Sequence, residues 1–175
     1  SAYSEDSYTI IMPCSLQISY AGNSGVIPIS STGTERGCFF GYRNNIGTAF
    51  EGLTGVEFTP VGLQENDQSK IPKFNQFGFL TLVLGNNSAV NPTQIYQNCE
   101  LIGSDTSQAN TPGGNLNDLV LGGLMIDGYR FHTTGTSNIH EVCLLRGNVT
   151  QDERFKLMVD NYYKQKYPDF DWPQA

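Results

Sequence analysis

Before residue 150 the chain never spaces its apolar residues at a helical period, and this constrains its fold more than any other feature. It presents short β-branched and aromatic runs instead, each cut off by turn residues. The runs fall at Tyr8 to Met12, Leu16 to Ser19, Gly25 to Ser30, Gly37 to Tyr42, Gly55 to Phe58 and Phe77 to Leu84. They continue at Thr93 to Tyr96, Glu100 to Ile102, Leu119 to Leu121, Tyr129 to His132 and Ile139 to Leu145. Breakers such as Asn23-Ser24-Gly25, Ser31-Thr32-Gly33, Gly85-Asn86-Asn87 and Asp127-Gly128 separate them. A parallel sheet would need helices between its strands, so the pattern predicts an all-β sandwich of two antiparallel sheets. No internal repeat is present, which removes propellers and solenoids.

One helix is predicted after this β region, over about residues 151–167, with a tail at 168–175. Thr150-Gln151-Asp152-Glu153 reads as a capping box, the Thr150 hydroxyl accepting from the Glu153 amide. Phe155, Met158, Val159, Tyr162 and Tyr163 then recur at helical spacing and are expected to face the core. Pro168 stops the helix, and Trp172 is expected either to dock the tail or to mark a domain boundary. With 175 residues the chain suits a single domain, 1–175, able to bury a core without staples.

Charge narrows the partners. Charged residues make up 15% of the chain, against roughly 25% in an average soluble protein, so Ser, Thr, Asn, Gln and Gly must supply the polar surface. Such a surface suits an extracellular, cell-surface or virion protein. The net charge of −7 repels phosphates, so nucleic acid is not an expected partner. No apolar run approaches the ~20 residues that span a bilayer, so membrane insertion is not expected. A chain opening Ser1-Ala2 without Met reads as a processed or excised piece.

Cys14, Cys38, Cys99 and Cys143 form no C-x-x-C pair, which argues against zinc and thioredoxin-like chemistry. Two disulfides would allow three pairings. Free thiols acting as small hydrophobes are the favoured reading, because each Cys lies in or beside an apolar stretch.

The order of features from residue 77 to 167 resembles the concanavalin A-like, laminin-G-like jelly rolls. The segments that carry the resemblance are Leu80-Thr81-Leu82-Val83-Leu84-Gly85, then Tyr96-Gln97-Asn98-Cys99-Glu100-Leu101-Ile102-Gly103-Ser104, then Leu119-Val120-Leu121-Gly122-Gly123. Ile139-His140-Glu141-Val142-Cys143-Leu144-Leu145 and Val149-Thr150-Gln151-Asp152-Glu153 complete it. Cys99 stands where that family commonly has Gly, at a hairpin position that requires positive φ. The resemblance implies two curved antiparallel sheets whose concave face and rim loops bind glycans, proteins or neighbouring domains.

The same family includes laminarinase-type glycoside hydrolases, which carry their acids as E-x-D-x-x-E on one strand. That segment is absent here, and Glu51 and Glu57 do not form it. Asp127 and Glu141 remain as isolated acids. Neither His132 nor His140 has a neighbour at metal-motif spacing, and no G-x-S-x-G elbow occurs. Some concanavalin-like domains hold calcium at the rim. The oxygen-rich segments Gln64 to Asp67, Asn86 to Ser88 and Ser104 to Thr106 lack ordered carboxylates and read as solvated turns, so no cofactor or metal is assigned.

A sugar site needs an aromatic face beside hydrogen-bonding groups. Two segments meet that description: Tyr42-Arg43-Asn44-Asn45 and Tyr129-Arg130-Phe131-His132. Tyr42, Arg43, Asn45, Tyr129, Arg130 and His132 are therefore the candidate ligand-binding residues. Sequence favours a non-catalytic recognition domain for carbohydrate, such as part of a phage tail fibre or bacterial surface adhesin. A docking module for other domains or subunits is the first alternative, and a glycosidase with an unrecognised carboxylate pair the second.

Overall fold

The structure, a computed structural model, describes residues 7–17, 25–32, 36–43, 47–54, 57–65, 77–85, 90, 92–105, 118–121, 124–126, 129–131 and 136–173. Side chains are described at 7–15, 77–85, 90, 92–104, 121 and 138–173. The chain is mostly antiparallel β-sheet closed by one C-terminal helix.

The first sheet has its centre in β1 (Tyr8–Gln17) and β6 (Phe77–Leu84). Beyond β6 come β7 (Thr93–Gln97) and β8 (Glu100–Asp105), while β12 (Thr136–Ile139) and β13 (Cys143–Arg146) share the far edge of β1. The second sheet runs in the order β5 (Glu57–Glu65), β4 (Gly47–Thr54), β3 (Arg36–Arg43), β2 (Gly25–Thr32), β9 (Asp118–Leu121). A small hairpin, β10 (Leu124–Ile126) with β11 (Tyr129–Phe131), approaches β2. The two sheets come together where β5 nears β8 and β2 nears β12.

Alternation along β1 and β6 builds two cores on opposite faces of the first sheet. Ile10, Met12, Cys14, Leu80, Leu82 and Leu84 form one core with Ile95 and Ile102. On the other face Ile11 and Phe79 pack against Val159 and Tyr163 of the C-terminal helix. Strand β6 reads as an apolar run because both its faces are buried. Trp172 closes the helix-covered core: its ring meets Phe79 edge-on at 5.0 Å and its Nε1 donates to the Tyr167 carbonyl at 3.0 Å. The tail is thus docked on its own domain.

Several sequence expectations change. The run at 8–12 and the start of the run at 16–19 belong to one strand, β1, which continues through Pro13. Proline is tolerated there because its carbonyl, which accepts from the His140 amide at 3.0 Å, shows that its missing N–H faces the β12–β13 edge. That edge bulges: Cys14 pairs with Ile139 and Ile11 with Cys143, so Met12 and Pro13 oppose His140, Glu141 and Val142. The expected continuous strand over 139–145 is accordingly split into β12 and β13. Strands β4 and β10 were not foreseen, and β5 extends well past Phe58.

The helix also starts later than expected. Asp152, not Thr150, is the N-cap, its side chain accepting from the Arg154 amide at 2.8 Å. Thr150 is diverted by Asn148, whose Oδ1 accepts from both its amide and its hydroxyl. The helix comprises α1 (Glu153–Met158), a π-helical turn (Val159–Tyr163) and α2 (Lys164–Lys166). The wider turn shifts the buried stripe: Tyr163 is 1% exposed, whereas Tyr162, expected in the core, is 46% exposed.

The β7–β8 hairpin turns through Asn98 at φ 52° and Cys99 at φ 67°. Two positive φ values in a two-residue loop define the type I′ turn that matches the twist of the strands. Asn98 suits it, and its Oδ1 accepts from the Phe79 amide at 2.9 Å. Cys99 sits in the left-handed region without that benefit, at a cost of about 1–2 kcal/mol. Cys99→Gly relieves this strain but loosens the unfolded chain by about 0.4–1 kcal/mol. A net gain of about 0.5–1 kcal/mol is expected in chemical denaturation. An unchanged or lower stability would contradict the strain argument.

Candidate functional site

Two sets of polar and aromatic residues stand out, one on each sheet. On the first sheet the bulge opposite Pro13 redirects Glu141 towards the helix. Its Oε2 accepts from Lys166 Nζ at 2.7 Å and from the Tyr162 hydroxyl at 3.0 Å, and its Oε1 from the Tyr167 hydroxyl at 3.0 Å. Lys166 Nζ also donates to the Tyr162 hydroxyl at 2.9 Å. Partial burial raises the Glu141 carboxyl pKa, but the hydrogen bonds from Lys166, Tyr162 and Tyr167 and the Lys166 charge outweigh it and hold the group below its usual range. Both carboxylate oxygens are committed to fastening the helix. Beside the clamp, His140 and Tyr167 meet Phe77 edge to face at 5.3 Å and at a tilt at 4.8 Å respectively, and Phe170 adds a third contact at 5.0 Å.

At the start of the helix the connection from β13 is pinned to β1. The Thr9 hydroxyl donates to the Gly147 carbonyl at 2.7 Å and accepts from the Val149 amide at 3.1 Å. Asn148, the acceptor of an N-x-T sequon, already donates its Nδ2 to Gln94 Oε1 at 3.3 Å. These groups join the helix to the sheet.

The second sheet differs. Residues directly opposite across antiparallel strands share a face, so its register sorts them. One face receives Ile29, Phe40, Phe50 and Leu63 in a continuous row, with Leu121 beside Ile29. The other receives the row Val120, Ser30, Phe39, Glu51, Gly62. Neighbouring rows on that face hold Thr32 with Asp118, Gly37 with Leu53, and Ala49 with Gln64. The register thus sorts the second sheet into an apolar row and a mixed row on opposite faces, and Leu121, the member of the apolar row whose side chain is described, is 51% exposed.

This register separates the sequence candidates. Tyr42 and Arg43 are consecutive on β3 and so fall on opposite faces: Tyr42, paired with Thr48, lies with Phe40 and Phe50, and Arg43, paired with Gly47, lies with Phe39 and Glu51. Tyr129 and Arg130 alternate likewise on β11, Tyr129 opposite Ile126 and Arg130 opposite Met125. Because the β10–β11 hairpin approaches β2, both candidate segments belong to the second-sheet side of the molecule. Asn45, His132 and Asp127 lie outside the described residues. Phe39 and Glu51 escaped the sequence reading because β4 carries Gly47 and Gly52 and was not seen as a strand. The alternation of Ala49, Glu51 and Leu53 was its available signal.

Among the described residues, no group of three or more His, Cys, Asp or Glu residues gathers as a metal site, and no helix is long and apolar enough to cross a membrane. Cys14, Cys99 and Cys143 are free thiols, and burial pushes the Cys14 thiol up to about 12. The side chain of Cys38 is outside the described set.

No family model and no curated protein matches the sequence. Solved structures do match in fold. The NanB sialidase of Streptococcus pneumoniae, as its K499G mutant, aligns over 87% of this chain and 24% of its own, with 16% identity and a TM-score of 0.61. The CBM40 of Ruminococcus gnavus IT-sialidase bound to α2,3-sialyllactose aligns over 86% and 82%, with 18% identity and a TM-score of 0.60. The binding domain of botulinum neurotoxin DC in complex with SialylT aligns over 90% and 36%, with 16% identity and a TM-score of 0.57. The chain therefore spans about a quarter of the sialidase and most of the CBM40 module. At these identities the likeness establishes a shared β-sandwich fold.

Removing the Glu141 carboxylate tests its assignment to the helix clamp. A depressed carboxyl pKa gives stability that is present above the unfolded value of about 4.3 and is lost as pH falls through the folded value. Glu141→Gln is expected to lower the denaturation midpoint at pH 7. The gap to the unsubstituted chain should close as pH drops below the Glu141 folded pKa. A pH-independent gap would show that the charge is not what fastens the helix.

Proposed function

We propose that this chain is a non-catalytic carbohydrate-recognition domain, one β-sandwich of the concanavalin A-like jelly-roll type, and that its ligands are acidic glycans ending in a sialic acid. The reading is supported by a fold shared with a module bound to sialyllactose and a toxin domain bound to SialylT, neither of which lends its activity by fold alone. It is supported independently by the register of the second sheet. That register sets Arg43 on the same face as Phe39, Glu51 and Ser30, the combination of cation, aromatic and hydrogen-bonding residues that sugar recognition uses. The guanidinium of Arg43 would take the sugar carboxylate through paired N–H donors. Arg130, on the hairpin that approaches β2, is a second candidate cation.

Among the described residues, the face of the first sheet that carries Ile11 and Phe79 is occupied by the helix. Glu141, the acid that a glycosidase reading would have used, is held by three donors, which favours recognition over hydrolysis. The setting that suits such a domain is extracellular, on a cell surface or on a virion.

Titration of the purified chain with α2,3-sialyllactose tests the reading. Binding is expected, and Arg43→Ala should weaken it about 10- to 100-fold, the value of a lost charge-assisted bidentate pair. No binding of any sialoside at millimolar concentration would sink the proposal and turn attention to a protein partner.

A further inference from the structure

The C-terminal helix is fastened to the first sheet by different chemistry at its two ends. At its start the links are hydroxyls and amides: Thr9 joins Gly147 and Val149, Asn148 joins Gln94, and the Thr150 hydroxyl and Gln151 amide reach the Tyr96 hydroxyl at 3.2 and 3.5 Å. In the middle, Val159 and Tyr163 of the π-helical turn pack on Ile11 and Phe79. Beyond them the fastening narrows to one residue. Among the described residues, every hydrogen bond or ion pair from residues 164–173 to the sheet ends on the Glu141 carboxylate, through Lys166 Nζ and the Tyr167 hydroxyl. The backbone of this segment bonds only back into the helix end and tail, as from the Tyr167 amide to the Tyr163 carbonyl and from the Trp172 amide to the Phe170 carbonyl, each at 2.9 Å. Otherwise it rests on ring contacts, Tyr167 and Phe170 on Phe77 and Trp172 on Phe79.

We infer that Glu141 is a proton-operated latch: when acid neutralises its carboxylate, residues 164–173 lift from Phe77 and Phe79 while the helix start and the sandwich stay in place. The inference is independent of what the second sheet binds. Protonation removes the charge that Lys166 pairs with and turns one acceptor oxygen into a donor, which the phenol that donates to it cannot use. The groups that face Glu141 are Lys166, Tyr162, Tyr163 and Tyr167 from the helix and Cys143 from β13, and its neighbour His140 meets the Tyr167 ring at 5.9 Å. Together they hold the Glu141 carboxyl below its usual range. The latch is therefore closed at neutral pH and opens as pH falls through the folded value, which lies below the unfolded value of about 4.3. The hydroxyl and amide links at the helix start have no charge to lose and outlast it. Opening is local because Tyr167, Phe170 and Trp172 are only partly buried, whereas Val159 and Tyr163 are core residues.

Trp172, the single tryptophan of the chain, reports the movement. As the pH of the full chain is lowered, its emission is expected to shift to the red in a step that precedes loss of the far-ultraviolet β signal. Glu141→Gln should show the red-shifted emission already at pH 7 and lose the step. Lys166→Gln should move the step to higher pH, because the carboxyl loses the cation that holds it down. A single transition in which emission and β signal change together would overturn the latch, as would a step that Glu141→Gln retains. A step abolished by His140→Gln, or by Asp169→Asn with Asp171→Asn, rather than by Glu141→Gln would place the proton elsewhere and overturn it equally. Lys166→Gln carries the test alone if Glu141→Gln does not fold, and a step that it leaves at the same pH would count against the latch.

Discussion

The two-sided burial of β1 and β6 governs the rest of the molecule. Met12, Leu80 and Leu82 line one face of the first sheet and Ile11 and Phe79 the other, each 2% exposed or less. A fully buried side chain of this size contributes roughly 1.5–3 kcal/mol, so neither face can be left to water. The second sheet covers one core and the C-terminal helix covers the other. With its outer face occupied, the first sheet is a structural layer. The recognition site proposed above therefore falls on the second sheet.

The helix in turn depends on a defect in the sheet. Pro13 removes a donor from β1 on the side facing the edge strand, and the edge strand answers with an extra residue. A regular strand would alternate Glu141 with its neighbours and keep it in the ladder. The bulge frees it to reach Lys166, Tyr162 and Tyr167 on the helix. The π-helical turn makes the complementary adjustment, turning Tyr163 inward onto Phe79 at 4.8 Å and Tyr162 outward to Glu141. Two local irregularities, one in each element, together let an amphipathic helix fasten to a sheet face through both an apolar core and a charged clamp.

What was legible in the sequence follows from the range over which each signal acts. The alternation of β1, β6 and β7, the helix after residue 150 and its stop at Pro168 are local patterns, and they were read correctly in kind. Thr150 as a cap was a local pattern overridden by a nearer partner, Asn148, which no capping rule weighs. Pro13 marked a break by itself but not with its bulged partner some 127 residues later. The candidate site shows the same division. Arg43 and Tyr42 stood out as a pair because they are adjacent, yet adjacency on a strand is what separates them onto opposite faces. Phe39, Glu51 and Ser30 come from three strands, and only the register of the sheet brings them into one row.

An acidic ligand for a chain of net charge −7 needs a physical account. The summed field opposes the approach of an anion, but charges more than a Debye length away, about 8 Å at physiological salt, are largely screened when exposed to solvent. What an anionic sugar meets on docking is therefore the local arrangement. The register places Arg43 opposite Gly47 at one end of the β3–β4 pair and Glu51, on β4, opposite Phe39 four residues away. The net charge that argues against a nucleic-acid partner therefore does not by itself argue against the acidic glycan proposed above.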